Sequence, residues 1–134
     1  MKILIVHHQM TLYGGAEVVV VRLAKHFQSH GHEVGILAAS SAPNPVYEGL
    51  NIITPPNQAS WHLWDGAISS LLEINDVLTH LHKMCKHLIR EYDALNVHNF
   101  PCIWAVPKTD KRVVWMCNEI PELWHRETLP MWLS

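Results

Sequence analysis

At 134 residues, with 49% hydrophobic and 16% charged, the chain has the size and composition of one globular domain with a real core, and disorder is excluded. A formal charge of −2 at pH 7 and a pI near 6.6 argue against a nucleic-acid groove or a polybasic membrane surface. Three cysteines without CxxC spacing argue against a disulfide framework and for a reducing, cytoplasmic setting.

Ile3 to Val6 is an unbroken aliphatic run, the pattern of a strand buried on both faces. It is too short for a secretory signal, and His7 and His8 follow it where a cleavage site would stand. No stretch reaches the roughly 18 apolar residues of a membrane span. A polar loop, His7 to Tyr13, leads to Gly14-Gly15. From Ala16 the period becomes helical, with Val19, Val20, Leu23, Ala24 and Phe27 three and four apart. Gly31 reads as a left-handed helix end and Glu33 to Ala39 as a second strand, which makes a βαβ unit and a parallel sheet.

Ser40 to Asn57 carries Pro43, Pro45, Pro55 and Pro56 and reads as loop, with a short strand near Leu50 to Ile53. Asp65 can cap a long helix to about Arg90, with the stripe Ile68, Leu71, Ile74, Leu78, Leu81, Cys85, Leu88 and Tyr92. Asp93 to Val97 is a fourth strand, Pro101 opens a brief helix to Val106, and Arg112 to Met116 is a fifth strand. Cys117, in an apolar run, is expected to be buried. The alternation predicts an α/β fold, a single Rossmann-like doubly wound domain over 1–134, with a mainly parallel sheet and helices on both faces.

Ligands in such sheets bind beyond the carboxyl ends of the strands. That places three segments in view: His7 to Glu17, His98-Asn99 and Asn118-Glu119. Gly14-Gly15, between a strand and a helix, either form only a tight turn or bring backbone amides up to a phosphate or diphosphate. Glu17, in the first helical turn, complements the dipole or meets the ligand. Neither GxGxxG nor a Walker A lysine is present, so no nicotinamide cofactor or ATP is expected, and no other cofactor is implied.

Of the 11 histidines, His26 and His30 have the i, i+4 spacing of a metal pair, but neither a third ligand nor a metal site is expected. His80 and His82 point in different directions. His7 and His8 suit an acceptor or phosphate contact, or burial in the turn. Cys102 with His98 lacks any orienting motif for a nucleophile and base. Trp61 and Trp64 border an acceptor or lipid-carrier site or pack in the core, and Trp124 and Trp132 suit an interface.

Met1 to Val6, Gly14-Gly15-Ala16-Glu17, Leu23-Ala24 and Gly31-His32-Glu33-Val34 together resemble the opening of family 4 retaining glycosyltransferases of the GT-B fold. Asp93 to Asn99 resembles that family's strand ending in histidine at the interdomain cleft, so the likeness runs along nearly the whole chain. The resemblance implies the acceptor-side, N-terminal half of a GT-B hexosyltransferase acting in glycan biosynthesis. The substrates would be a nucleotide-sugar donor and a glycan or lipid-linked acceptor. Gly14 and Gly15 would meet the donor diphosphate, and His98 would hold the catalytic position beside the transferred sugar. His7, His8, Glu17, Asn99, Asn118 and Glu119 would supply further ligand contacts. The departing diphosphate would assist the attack, so electrostatic stabilisation of the leaving group would dominate.

Cys117-Asn118-Glu119 stands where many members carry a histidine. With the sequence ending at Ser134, the nucleotide-sugar-binding C-terminal domain is expected to be absent and the chain inactive alone. Its complement would be a C-terminal domain, a separate partner chain or a second copy, with peripheral membrane association compatible with a lipid-linked acceptor. Two other readings are a non-catalytic partner subunit of a split transferase and an unrelated flavodoxin-like domain. The latter lacks a Ser/Thr-rich phosphate loop, and a regulator-like module would need an acidic cluster after the first strand.

Overall fold

The computed structural model describes residues 1–62 and 67–118, with the side chains of 67–70 excepted. Five strands, β1 (Lys2–Val6), β2 (Glu33–Leu37), β3 (Asn51–Ile53), β4 (Ala94–His98) and β5 (Arg112–Met116), form one parallel sheet in the order β3-β2-β1-β4-β5. Helix α1 (Gly15–Ser29) joins β1 to β2, and α2 (Ala67–Leu88) joins β3 to β4.

Side chains alternate across each strand, so every central strand feeds two cores. Leu4, Val6, Leu37, Leu95 and Val97 pack on one face with Val77, Leu81 and Cys85 of α2. Ile5, Val34 and Ile36 pack on the other with Val20, Val21 and Ala24 of α1. Helices on both faces make the fold doubly wound and Rossmann-like, in agreement with the buried runs and helical periods of the sequence.

Local chemistry fixes the ends. Gly31 has φ +83°, and its N–H donates to Gln28 O while His32 N–H donates to Phe27 O, the paired bonds of a left-handed helix end. Phe27 and His32 then pack edge to face. Within β2, a Cβ on Gly35 would lie 2.2 Å from the Tyr92 hydroxyl, so only glycine lets that ring close over the strand.

Several details differ from the sequence reading. β2 stops at Leu37, because Ala38 and Ala39 give their N–H groups to Ile53 O and His8 O at the sheet's rim. α2 ends at Leu88 and tightens into a 3-10 turn, Ile89–Glu91. Leu71, expected on its apolar stripe, is exposed, and Val77 is buried in the stripe beside Leu81 and Cys85. On α1 the inward line runs through Glu17, Val20, Val21 and Ala24, so it is rotated from the one predicted. Cys117 is exposed, and so are Val113, Val114 and Trp115 of the edge strand β5. Among the described residues no helix is long and apolar enough to cross a membrane. Trp64, Asp65, Glu119, Trp124 and Trp132 lie outside the described residues.

Candidate functional site

From β1 the chain winds through α1 toward β2 and β3, and α2 then carries it back to β4 on the other side. The winding reverses between β1 and β4, and the crevice beyond the strand ends at such a point is where open α/β sheets take ligands. His7 and His8 follow β1 there, and His98 and Asn99 close β4. The four are therefore neighbours in space, although some ninety positions separate the pairs in sequence.

His7 is fully buried, and its Nε2 lies 3.0 Å from Glu17 Oε1. The second oxygen, Oε2, accepts the Gly14 N–H at 3.1 Å. Glu17 thus closes the helix from its third position, as in half of a capping box, and ties the helix start to the end of β1. Burial alone would raise its carboxyl pKa. Hydrogen bonds from His7 and from the backbone outweigh that and hold it below the ordinary value.

The His8 ring stands 4.4 Å from that of His7 between centroids, and 5.8 Å from that of Trp61, edge on. Burial, with His7 as a neighbour, lowers the His8 pKa to about 3. On β4, His98 is fully buried with Nε2 2.5 Å from Asn96 Oδ1, and burial followed by the nearby His7 lowers its pKa to about 4. Both imidazoles are neutral at physiological pH. Asn99 occupies the left-handed region at φ 60°, its N–H donating to Met116 O and its carbonyl accepting from Trp115 Nε1.

Buried polar atoms without a hydrogen-bond partner gather here: Nδ1 of His7, His8 and His98, Oδ1 of Asn99 and Nε1 of Trp61. Leaving such groups unmade costs about 1–3 kcal/mol each, and the concentration of five at one sheet end marks this region as unlike the rest of the core.

The two glycines differ. The amide of Gly14 is already taken by Glu17, and a Cβ there would stand 3.1 Å from Glu17 Oε2. A Cβ on Gly15 would meet nothing within 4 Å, so the space over the first helical residue is open. Asn118 is exposed just past β5.

Trp61 packs against the α2-side core and the His8 ring, and its backbone N–H donates to Gln9 Oε1. Burial pushes the Cys102 thiol upward, against a thiolate beside His98. His30 Nδ1 lies against the His26 carbonyl, and among the described residues no three His, Cys, Asp or Glu side chains converge as a metal site.

Sequence reasoning missed the partners. Asn96 was legible as a polar residue between Leu95 and Val97 in an apolar strand, and Glu17 as a charge heading the inward stripe of α1.

Comparison with solved structures returns the same architecture. The C-terminal domain (residues 78–226) of a hydrogenase from Pyrococcus furiosus superposes with a TM-score of 0.59 at 17% identity, over 85% of this chain and 89% of that one. A second structure of that domain, residues 83–215, gives 0.60 at 15% identity, over 86% and 90%. At such identities the likeness is one of fold. No curated protein matches the chain. Residues 13–133 match the sequence family described as Glycosyltransferase Family 4, and the match takes in the glycine turn, His98 and strands β2 to β5. The chain belongs to Glycosyltransferase Family 4.

Proposed function

We propose that this chain is the acceptor-side half of a retaining glycosyltransferase that moves a sugar from a nucleotide-sugar donor to a glycan or lipid-linked acceptor. The observation that carries this reading is the open helix start at Gly15, tied through Glu17 to His7, which follows β1 beside the strand that carries His98 and Asn99. The donor diphosphate lies over Gly15, where the free amides and dipole of α1 favour an anion. Gly14 acts indirectly, since its N–H is held by Glu17. His98, neutral and buried, stands beside the transferred sugar, with His7, His8 and Asn99 around it. Asn118 follows β5 at the same end of the sheet, and Glu119 is a further ligand contact of this reading.

No side chain of the cluster is set up as a strong base. This fits a reaction in which the leaving diphosphate takes the acceptor's proton and stabilisation of its charge supplies most of the rate. The nucleotide is held by a second domain, on the same chain or a separate one. Three cysteines without pairing spacing support a reducing, cytoplasmic setting.

Calorimetric titration with nucleotide sugars, alone and with a candidate C-terminal partner, tests this. Donor binding and transfer that require the partner support the reading. Full transfer by the 134-residue chain alone would sink the division of labour. Donor binding without transfer in every pairing would favour a non-catalytic subunit instead. Gly15→Val should fold, because the space is open, yet weaken donor affinity at least about tenfold by filling the approach to the amides. Unchanged donor affinity in the complete enzyme would remove the loop from the site.

A further inference from the structure

An ionised carboxylate has no proton to give, so in the 3.0 Å contact between Glu17 Oε1 and His7 Nε2 the hydrogen sits on the imidazole. A neutral ring in that tautomer keeps a bare lone pair on Nδ1, and His7 Nδ1 is buried without a partner. His98 reaches the same state by another route. Its Nε2 donates to Asn96 Oδ1, which leaves Nδ1 bare and buried. Asn99 Oδ1 is a third buried oxygen or nitrogen of this kind.

All three are acceptors, and they stand at the carboxyl ends of the paired strands β1 and β4. A diphosphate oxygen, itself an acceptor, can satisfy none of them. A hydroxyl group brings the donor that each one lacks. These three acceptors therefore favour a neutral, hydroxyl-bearing ring over the charged part of a nucleotide sugar, and the unpartnered Trp61 Nε1–H beside His8 suits an oxygen of the same ring.

Resting on the glycosyltransferase reading, we propose that Glu17 is a positioning residue: it fixes His7 as the Nε2–H tautomer, so that His7 Nδ1, with His98 Nδ1 and Asn99 Oδ1, receives hydroxyl groups of a saccharide, while the diphosphate lies over Gly15. The His8 ring packs against His7 at the edge of this cluster. Glu17 touches neither substrate. It acts through the imidazole, and its grip on Gly14 N–H sets the distance between the anion's end of the site and the sugar's end.

The isosteric change Glu17→Gln separates this role from capping. Gln has one acceptor oxygen. If that oxygen keeps the Gly14 N–H, the amide NH2 must face His7 Nε2 and donate to it, which drives the His7 proton to Nδ1. The helix start survives while the imidazole presents a donor where it had presented an acceptor.

Nitrogen-15 NMR of imidazole-labelled 134-residue chain reads this directly at neutral pH. In the unsubstituted protein the His7 hydrogen is expected on Nε2. Methyl α-glucopyranoside or UDP-glucose should shift the Nδ1 signals of His7 and His98, and inorganic diphosphate should shift the Gly15 amide without them. A response to the free glycoside assigns the hydroxyls to an acceptor sugar, and a response to UDP-glucose alone assigns them to the donor's sugar.

In Glu17→Gln the proton should move to Nδ1 and the saccharide response should weaken about tenfold, with the fold retained. A His7 hydrogen on Nδ1 in the unsubstituted chain would overturn the proposal. An inverted tautomer with an unchanged saccharide response would do the same. A Gly15 amide indifferent to diphosphate would instead count against the donor site and leave the tautomer assignment standing.

Discussion

His7 and His98 end neighbouring strands, and each donates from Nε2 to an oxygen, yet the two oxygens are chemically unlike. His7 meets the carboxylate of Glu17, which is shared with a backbone amide and reaches across from α1. His98 meets the amide oxygen of Asn96, two residues earlier on its own strand. The carboxylate fixes which His7 nitrogen carries the hydrogen, whereas the neutral amide gives His98 no charge partner in a dry setting, and the His98 pKa falls to about 4. The β1 end is therefore anchored by a carboxylate, and the β4 end is built to stay neutral. In the proposed site the diphosphate lies over Gly15 at the head of α1, and the uncharged hydroxyls meet the two imidazoles.

The largest expected effect is on acid stability. The unfolded chain protonates His98 near its ordinary pKa of 6.5, whereas the folded chain does so only at about 4. Between those values the unfolded state binds more protons, so stability is lost as pH falls through the window, by on the order of 3 kcal/mol. His8 shares the window and extends it to about 3. Glu17 acts in the same direction at lower pH: its contribution is complete above the ordinary carboxylate pKa and is lost as pH falls through its depressed folded value. Denaturant melts from pH 7 to 4 should show the histidine loss first, and His98→Gln should flatten part of it. A melt independent of pH over that range would contradict the burial assigned to both rings.

Asn96→Asp turns one region into the other. With a carboxylate against Nε2, the His98 pKa should climb from about 4 back toward or beyond 6.5, as followed by NMR titration. If it stays near 4, burial alone governs the β4 end and the contrast with β1 is not one of partners.

Removing the partners sharpens the same contrast at smaller scale. Glu17→Ala leaves both His7 Nε2 and Gly14 N–H without an acceptor and should cost about 2–3 kcal/mol in equilibrium unfolding. Asn96→Ala orphans one neutral donor and should cost about 1 kcal/mol. Equal losses would mean that the charge on Glu17 adds nothing.

The β1–α1–β2 frame was legible because each piece has a local cause: a buried aliphatic run, a helical period and a glycine that must turn left-handed at residue 31. Local cause also places His7 and His98 at strand ends. What joins them is not local. Which face of α1 points inward was misjudged by one position, because Val18 to Val21 is apolar all round, and with it went the fact that Glu17 heads the buried line. The exposure of Cys117 and of Val114 follows from β5 being the sheet's edge, which an apolar run cannot announce by itself. At the glycine turn, composition could suggest an anion site but not that one amide is already spoken for by Glu17.

The smallest test concerns the backbone that aims the β4 end. Asn99 sits at φ 60°, where most L residues are strained by about 1–2 kcal/mol and Asn less so. Its N–H and carbonyl both bind β5, to Met116 O and Trp115 Nε1, so this turn locks the last residue of β4 to its neighbour. Asn99→Ala should therefore destabilise by about 1 kcal/mol, and Asn99→Gly should restore most of that because glycine enters the left-handed region freely. Both variants delete the buried Oδ1, and so both should lose the same share of the saccharide response. If Gly recovers stability and saccharide response together, the turn alone matters. If it recovers stability only, Asn99 contributes to the site through its side chain, and the β4 end offers a ligand two acceptors where β1 offers one.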